Sequence, residues 1–99
     1  MALAAIMSAT SITAAMAADI QEGGKLARQW CANCHLVGGE QVAGGDTAPT
    51  FASVAETAAE RNDDLRAWLA DPHPPMPNLN LTRSEIDDLL AYIESLKAE

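Results

Sequence analysis

The sequence Cys31-Ala32-Asn33-Cys34-His35 contains both cysteines of the chain and one of its two histidines. Side chains three positions apart project from the same side of a helical turn. Cys31 and Cys34 can therefore reach the two vinyl groups along one edge of a porphyrin and close a thioether bond with each. The imidazole of His35 would then lie beneath the ring as a ligand to the iron. This spacing predicts a c-type haem attachment site, with His35 as the proximal ligand.

Other chemistries of a Cys-x-x-Cys pair stay open at this point. A thioredoxin-like redox dithiol needs a βαβ setting, and the chain has no alternating Val/Ile-rich segment to supply one. A structural zinc site needs four N or S ligands, so it would combine both cysteines with His35 and His73. A disulfide between Cys31 and Cys34 would leave His35 without a role. Haem attachment is the interpretation that uses all three residues of the motif.

Length and composition fit a small domain built around a large apolar ligand. Ninety-nine residues make one domain, and only 4% of them are aromatic. Cleavage after Ala17 would leave 82 residues, which is marginal for a self-sufficient apolar core. A buried porphyrin would supply the missing bulk. The formal net charge is −8. Nucleic acid and anionic membrane surfaces are therefore poor partners, and we expect a redox protein with a basic docking face.

The segment 1–18 has the composition of an export signal. It contains no charged residue and is built from Ala, Met, Ile, Leu, Ser and Thr, and Ala15-Met16-Ala17 is similar to a small-residue cleavage site. We expect a signal peptide at 1–18, cleaved after Ala17 or Ala18, and one haem domain at 19–99. An uncleaved anchor is the alternative, although a membrane span needs roughly 20 strongly apolar residues. A cleaved signal peptide predicts that the protein is exported to the periplasm and is not stably inserted in the membrane.

The first part of the haem domain predicts one long and one short helix. Asp19 and Glu22 form a capping-box-like start for a helix that runs to about Ala32 and delivers the haem motif at its end. The glycine-rich stretch 37–48 predicts a loop. Pro49 suits a first helical turn and predicts a short helix through Thr50, Phe51 and Val54.

The second part predicts two more helices with a proline-rich loop between them. Asn62 is expected to cap one helix, which ends at Asp71-Pro72 because the residue before proline disfavours helical geometry. The stretch 73–78 predicts a stiff extended loop. Residues 82–85, Thr-Arg-Ser-Glu, form a capping box for the last helix, whose apolar residues recur at helical spacing: Ile86, Leu89, Leu90, Ile93 and Leu96. The expected fold class is all-α, with about three main helices, a short one and long loops wrapped around one covalent haem.

Met76 is the candidate for the second axial ligand. The chain has methionines at 1, 7, 16 and 76, and removal of the signal segment leaves Met76 alone. Prolines on both sides stiffen its backbone, so little conformational entropy is lost when the sulfur is presented to the iron. An ordinary packing role for Met76 and ligation by His73 are the alternatives. A His35/Met76 pair raises the reduction potential and fills the coordination sphere, which predicts an electron carrier and no enzyme.

These motifs resemble the small bacterial class I c-type cytochromes, of the c551/c552 kind. The resemblance rests on the haem motif at 31–35, on Ala-Pro-Thr-Phe at 48–51, on Pro-Met-Pro at 75–77 and on the last helix. It implies thioether bonds at both cysteines of the motif and axial ligation by His35 and Met76. It also implies that the Pro49 carbonyl accepts the Nδ1 proton of His35, which fixes the ring.

The same resemblance implies roles for residues outside these motifs. Trp68 matches a tryptophan that meets a haem propionate in relatives, with a plain core role as the alternative. Asn78 matches an amide near the methionine sulfur. Gly23 and Tyr92 match the small and aromatic residues at which the first and last helices cross. Ala27 departs from the family pattern, which usually has an aromatic residue there.

The function implied by the resemblance is that of a monohaem carrier that shuttles single electrons between redox proteins. Two alternatives keep the haem: a cytochrome c subunit of a dehydrogenase complex, and a haem sensor or peroxidase with an open sixth site. A third alternative, a thiol-disulfide oxidoreductase, uses the two cysteines of the motif without a haem.

Overall fold

The computed structural model describes residues 3–6, 8, 17–38 and 48–97. These residues form four α-helices and no strand: α1 (Ile20–Leu26), α2 (Phe51–Ala55), α3 (Asn62–Ala70) and α4 (Arg83–Ser95), with a π-helical turn at Ala27–Cys31 directly after α1. The all-α prediction is confirmed. Most of the expected signal peptide at 1–18 and most of the loop predicted at 37–48 lie outside the described residues. No helix in the described part has the length and apolar character that a bilayer crossing requires.

The start of α1 is capped as predicted, but the capping box is not formed. The Asp19 carboxylate accepts hydrogen bonds from the N–H groups of Gln21 and Glu22. The Glu22 side chain does not return to the cap and instead pairs with Lys25 at 3.2 Å. The backbone N–H of Asp19 donates to the Asp88 carboxylate at 2.8 Å. The cap therefore joins the beginning of α1 to α4.

The first helix departs from regular α geometry before it reaches the cysteine motif. The helix expected to run to about Ala32 is helical as far as Cys31, but α1 ends at Leu26 and Ala27–Cys31 is a π-helical turn. Ala27 has no exposed surface and Trp30 is half exposed. Single π-helical turns occur frequently at functional sites, and this one leads directly into the motif at 31–35.

Helices α1 and α4 cross at Gly23. A Cβ atom at this position would lie 2.0 Å from the Asp88 carbonyl oxygen and 2.8 Å from Cβ of Tyr92. No side chain larger than that of glycine fits at this distance, so Gly23 allows the two backbones to touch. The Tyr92 hydroxyl donates a hydrogen bond to the Val37 carbonyl. This hydrogen bond connects the helix crossing to the segment that follows the haem motif.

Helix α4 supplies one wall of the core. Its capping box is present, with the Glu85 N–H donating to the Thr82 hydroxyl at 3.1 Å and the Thr82 N–H donating to the Glu85 carboxylate at 2.9 Å. The predicted apolar stripe faces inward: Ile86, Leu89, Leu90 and Ile93 are buried, and Leu96 packs against the core from its edge. The core joins this stripe to α2 and to the end of the first helix, with these buried members: Ala27, Cys31, Val37, Phe51, Ala55, Ala58, Leu89 and Ile93.

The boundaries of the two middle helices differ slightly from the prediction. Helix α2 has Thr50 as its N-cap, with the Ser53 N–H donating to the Thr50 hydroxyl at 3.1 Å, so Pro49 precedes the cap. Helix α3 has Arg61 at its N-cap, and the prediction that Asn62 caps it is wrong. The Asn62 amide instead donates to the Glu94 carboxylate at 3.2 Å, because α3 lies beside α4.

The proline-rich segment after α3 is a turn. Helix α3 ends before Asp71 as predicted. The Met76 N–H then donates to the His73 carbonyl at 3.1 Å. This hydrogen bond folds the chain back on itself, so the prediction of an extended loop at 73–78 is wrong. Met76 lies at the end of the turn and is partly buried.

Candidate functional site

The two cysteines lie on one compact turn at the end of the π-helical segment. The N–H groups of Cys34 and His35 both donate to the Cys31 carbonyl, at 3.1 Å and 2.9 Å. Cys31 is buried and Cys34 is exposed. The turn brings all three functional groups of the motif into one short stretch of backbone, as a pair of thioether bonds and a neighbouring iron ligand require.

Burial changes the acid–base chemistry of Cys31. Loss of solvation raises the pKa of the Cys31 thiol to about 11, and the neighbouring Cys34 contributes to the rise. Reactive redox cysteines have lowered pKa values because the thiolate is the nucleophile. The pKa of Cys31 is therefore shifted in the direction opposite to that of a reactive redox cysteine.

The zinc alternative also lacks its ligand cluster. In the part of the chain that the structure describes, no group of three or more His, Cys, Asp or Glu side chains is placed to hold a metal ion. His73 instead packs its ring against Trp68, with the ring centroids 4.8 Å apart. The two cysteines, His35 and His73 therefore do not form a four-ligand site.

The His35 imidazole is held by a backbone carbonyl. Its Nδ1 atom lies 2.6 Å from the carbonyl oxygen of Pro49. A carbonyl oxygen only accepts, so Nδ1 carries the proton and the ring lone pair resides on Nε2. The Phe51 ring packs against the imidazole at a centroid distance of 5.2 Å, and the Phe51 N–H donates to the Leu36 carbonyl at 2.9 Å. The start of α2 therefore determines both the tautomer and the orientation of His35.

Met76 contacts the tryptophan that the resemblance assigned to a propionate. The Trp68 Nε1 atom lies 3.1 Å from the Met76 sulfur. Trp68 is 42% exposed, and its indole N–H faces the sulfur. This contact could not be predicted from the sequence, because it depends on the turn at 73–76 folding Met76 back toward α3.

Asn78 makes a local hydrogen bond. Its side-chain oxygen accepts the N–H of Asn80 at 2.9 Å, and Asn80 has a positive φ of 53°. The Met76 sulfur contacts the Trp68 indole, whereas the Asn78 oxygen takes part in the turn that follows Met76.

The donor set suits haem c. Cys31 and Cys34 supply two thiols at the required spacing, and His35 supplies an imidazole whose Nδ1 proton is already engaged by Pro49. Met76 supplies a thioether sulfur on a turn stiffened by proline. Imidazole and thioether are the axial ligands of c-type cytochromes, and a hydrogen bond from the non-ligating ring nitrogen is the usual support for a metal-bound histidine.

Comparisons with known proteins identify the family of the chain. The protein-family model for cytochrome c matches residues 20–97. The chain is 44% identical over 89 residues to cytochrome c-552 of Bradyrhizobium diazoefficiens, an alignment that covers 90% of this chain and 86% of that protein. The X-ray structure of ferric cytochrome c-550 from Paracoccus versutus matches 82% of this chain and 99% of its own, with a TM-score of 0.52 and 20% identity, which shows a shared fold. The chain belongs to the cytochrome c family, whose cofactor is covalently attached haem c.

Proposed function

We propose that this chain is a monohaem carrier that moves single electrons between redox proteins in the periplasm. Its haem would be attached through Cys31 and Cys34 and ligated by His35 and Met76. The observation that carries this proposal is the 2.6 Å contact between Nδ1 of His35 and the Pro49 carbonyl, next to the attachment motif. A histidine held in this way has one defined tautomer, with Nε2 as its ligating nitrogen.

The residues around His35 contribute by holding its imidazole in one position. When bound, the haem supplies reversible one-electron exchange at its iron. The Pro49 carbonyl keeps the proton on Nδ1 of His35 and increases the donor strength of Nε2. The Phe51 ring limits rotation of the imidazole. A site whose groups are held by the fold changes little between oxidation states, which favours fast transfer.

Ligation by Met76 would distinguish an electron carrier from a haem enzyme with an open coordination site. Its sulfur lies on a turn closed by the hydrogen bond from the Met76 N–H to the His73 carbonyl. A thioether at the sixth position leaves no coordination site for peroxide or substrate. Axial methionine also raises the reduction potential relative to bis-histidine ligation. Both effects support electron transfer without enzyme activity.

The charge of the chain supports a basic partner. The formal net charge is −8, and an acidic surface attracts a positively charged docking face at long range. The expected signal peptide at 1–18 and the similarity to a bacterial cytochrome c-552 support a periplasmic location.

Acid–acetone extraction and carbon monoxide binding test the proposal. Haem should stay with the polypeptide after extraction, whereas the double variant Cys31→Ala/Cys34→Ala should release it. The reduced native protein should bind carbon monoxide slowly, because Met76 would hold the sixth position. Free haem in the extract of the parent protein would contradict covalent attachment. Rapid carbon monoxide binding would favour the open-site sensor or peroxidase, and stable copurification with an enzyme subunit would favour the dehydrogenase complex.

A further inference from the structure

We infer that Trp68 is the hydrogen-bond donor to the axial sulfur of Met76 and that it tunes the strength of the iron–sulfur bond. This inference rests on the proposed ligation by Met76. It replaces the two roles implied by the resemblance, in which Trp68 meets a propionate and the Asn78 amide lies near the sulfur. Trp68 is a positioning residue in this assignment, because it acts on the iron through Met76.

The geometry singles out the indole N–H. The Trp68 Nε1 atom lies 3.1 Å from the Met76 sulfur. Indole nitrogen is a donor only, and a thioether sulfur is a weak acceptor, so the direction of the hydrogen bond is unambiguous. Trp68 lies in the last turn of α3, and Met76 ends the turn that follows it. The contact therefore joins the two ends of the proline-rich segment.

His73 holds the two partners in place. Its ring packs on the Trp68 ring at a centroid distance of 4.8 Å and an interplanar angle of 53°. Its carbonyl accepts the Met76 N–H at 3.1 Å. One residue therefore contacts the indole through its side chain and the methionine through its backbone. This arrangement favours a defined distance between Nε1 and the sulfur.

Asn78 has another partner. Its side-chain oxygen accepts the Asn80 N–H at 2.9 Å, which makes a short local turn after Met76. The Asn78 oxygen therefore stabilises the turn that follows Met76, whereas the Trp68 N–H contacts the sulfur itself.

A hydrogen bond to the sulfur has a predictable electronic effect. The N–H group draws electron density from the sulfur and reduces its donor strength. Ferric iron depends on that donation more than ferrous iron does, so the ferric state is destabilised and the potential rises. Hydrogen bonds to a ligand are an established means of tuning haem potential.

The variant Trp68→Phe tests this inference, since it removes the N–H and keeps an aromatic ring against His73. The equilibrium constant for reduction should fall by roughly two- to tenfold, the range given by the net free energy of one hydrogen bond. A tenfold fall corresponds to about 59 mV for a one-electron couple. Imidazole affinity of the ferric variant should also fall, because a stronger iron–sulfur bond resists displacement.

Two control variants accompany the measurement. Trp30→Phe makes the same chemical change at the other tryptophan, which is 51% exposed, and Asn78→Ala removes the competing amide. Both should retain the parent potential and imidazole affinity. A shift with Asn78→Ala equal to that with Trp68→Phe would overturn the assignment of the donor.

Several outcomes would overturn the inference. An unchanged potential in Trp68→Phe would show that no hydrogen bond reaches the ligand. A lower potential with tighter imidazole binding would show that Trp68 only holds the loop closed. Loss of the far-red charge-transfer band in Met76→Ala establishes the ligand independently, so a failure of the proposed function is distinguished from a failure of this inference.

Hydrogen exchange gives a test that needs no variant. In the ferrous parent protein, the indole N–H of Trp68 should exchange with solvent more slowly than that of Trp30, because it is hydrogen-bonded to sulfur. Trp30 is the reference because it is the other tryptophan of the chain. Equal exchange rates would contradict the hydrogen bond even if Trp68→Phe does not fold.

Discussion

The backbone of α1 at Gly23 touches the backbone of α4 at Asp88. A Cβ atom on Gly23 would lie 2.0 Å from the Asp88 carbonyl oxygen, closer than any two such atoms can approach. The first helix ends in the haem motif, and the last helix forms a wall of the core. The distance between the two helices is therefore set at a position without a side chain.

Gly23→Ala should destabilise the protein. Relief of the clash requires α1 and α4 to separate, and overpacking of a tight contact costs about 1–3 kcal/mol, occasionally more. Chemical denaturation of the haem protein measures the loss. Gly24→Ala is the matched control, because its new Cβ would lie 3.1 Å from a side-chain atom of Tyr92 and 3.2 Å from the end of Arg28. Equal stability of the two variants would contradict the close crossing.

Tyr92→Phe should lower the free energy of unfolding by about 1 kcal/mol, the net value of a hydrogen bond. The lost bond joins the Tyr92 hydroxyl to the Val37 carbonyl, which follows the haem motif. Ser95→Ala is the control, because its hydroxyl bonds to the Tyr92 carbonyl at an exposed site, where water replaces the lost partner. A larger loss in Ser95→Ala than in Tyr92→Phe would be inconsistent with this arrangement.

Thr82→Ala should destabilise α4 by about 1 kcal/mol, because it removes the side-chain oxygen of the N-cap. The Glu85 N–H then loses its acceptor. Ser84→Ala alters a neighbouring exposed hydroxyl in the same turn without touching the cap. Thermal unfolding of both variants is the measurement. If the two substitutions had equal effects, the capping box would not contribute to stability.

Much of the fold was predictable because it depends on local sequence. The capping box at 82–85 and the helical spacing of apolar residues predicted α4 and its buried face. The Asp71-Pro72 pair gave the end of α3, since proline restricts the residue before it. The cysteine motif predicted the cofactor because its spacing matches the porphyrin edge.

The features that could not be predicted depend on contacts between distant segments. Asn62 has the side chain of a good N-cap, but its amide is drawn to Glu94 on the neighbouring helix. Glu22 could have closed a capping box, but the Asp19 N–H is taken by Asp88. The pairing of Trp68 with Met76 depends on the turn at 73–76, whose prolines suggested extended chain. No sequence pattern marks such tertiary partners.

Electron transfer to a basic redox protein should slow as salt rises. The chain carries a formal net charge of −8, and exposed charges are screened beyond about 8 Å at physiological ionic strength. Stopped-flow rates across a salt series measure the effect. An uncharged redox reagent is the control, and its rate should stay flat. If the rate with the basic partner were also independent of salt, electrostatic steering would not contribute to electron transfer.

The oxidised visible spectrum of Met76→Ala, compared with that of the parent protein, examines the ligand assignment itself. The parent should show a weak far-red charge-transfer band from sulfur ligation, and the variant should lack it and bind carbon monoxide rapidly when reduced. His73→Ala should keep the band, because the proposal assigns the second ligand to Met76 and not to His73. A band that persists in Met76→Ala, or one that disappears in His73→Ala alone, would contradict an iron held between His35 and Met76.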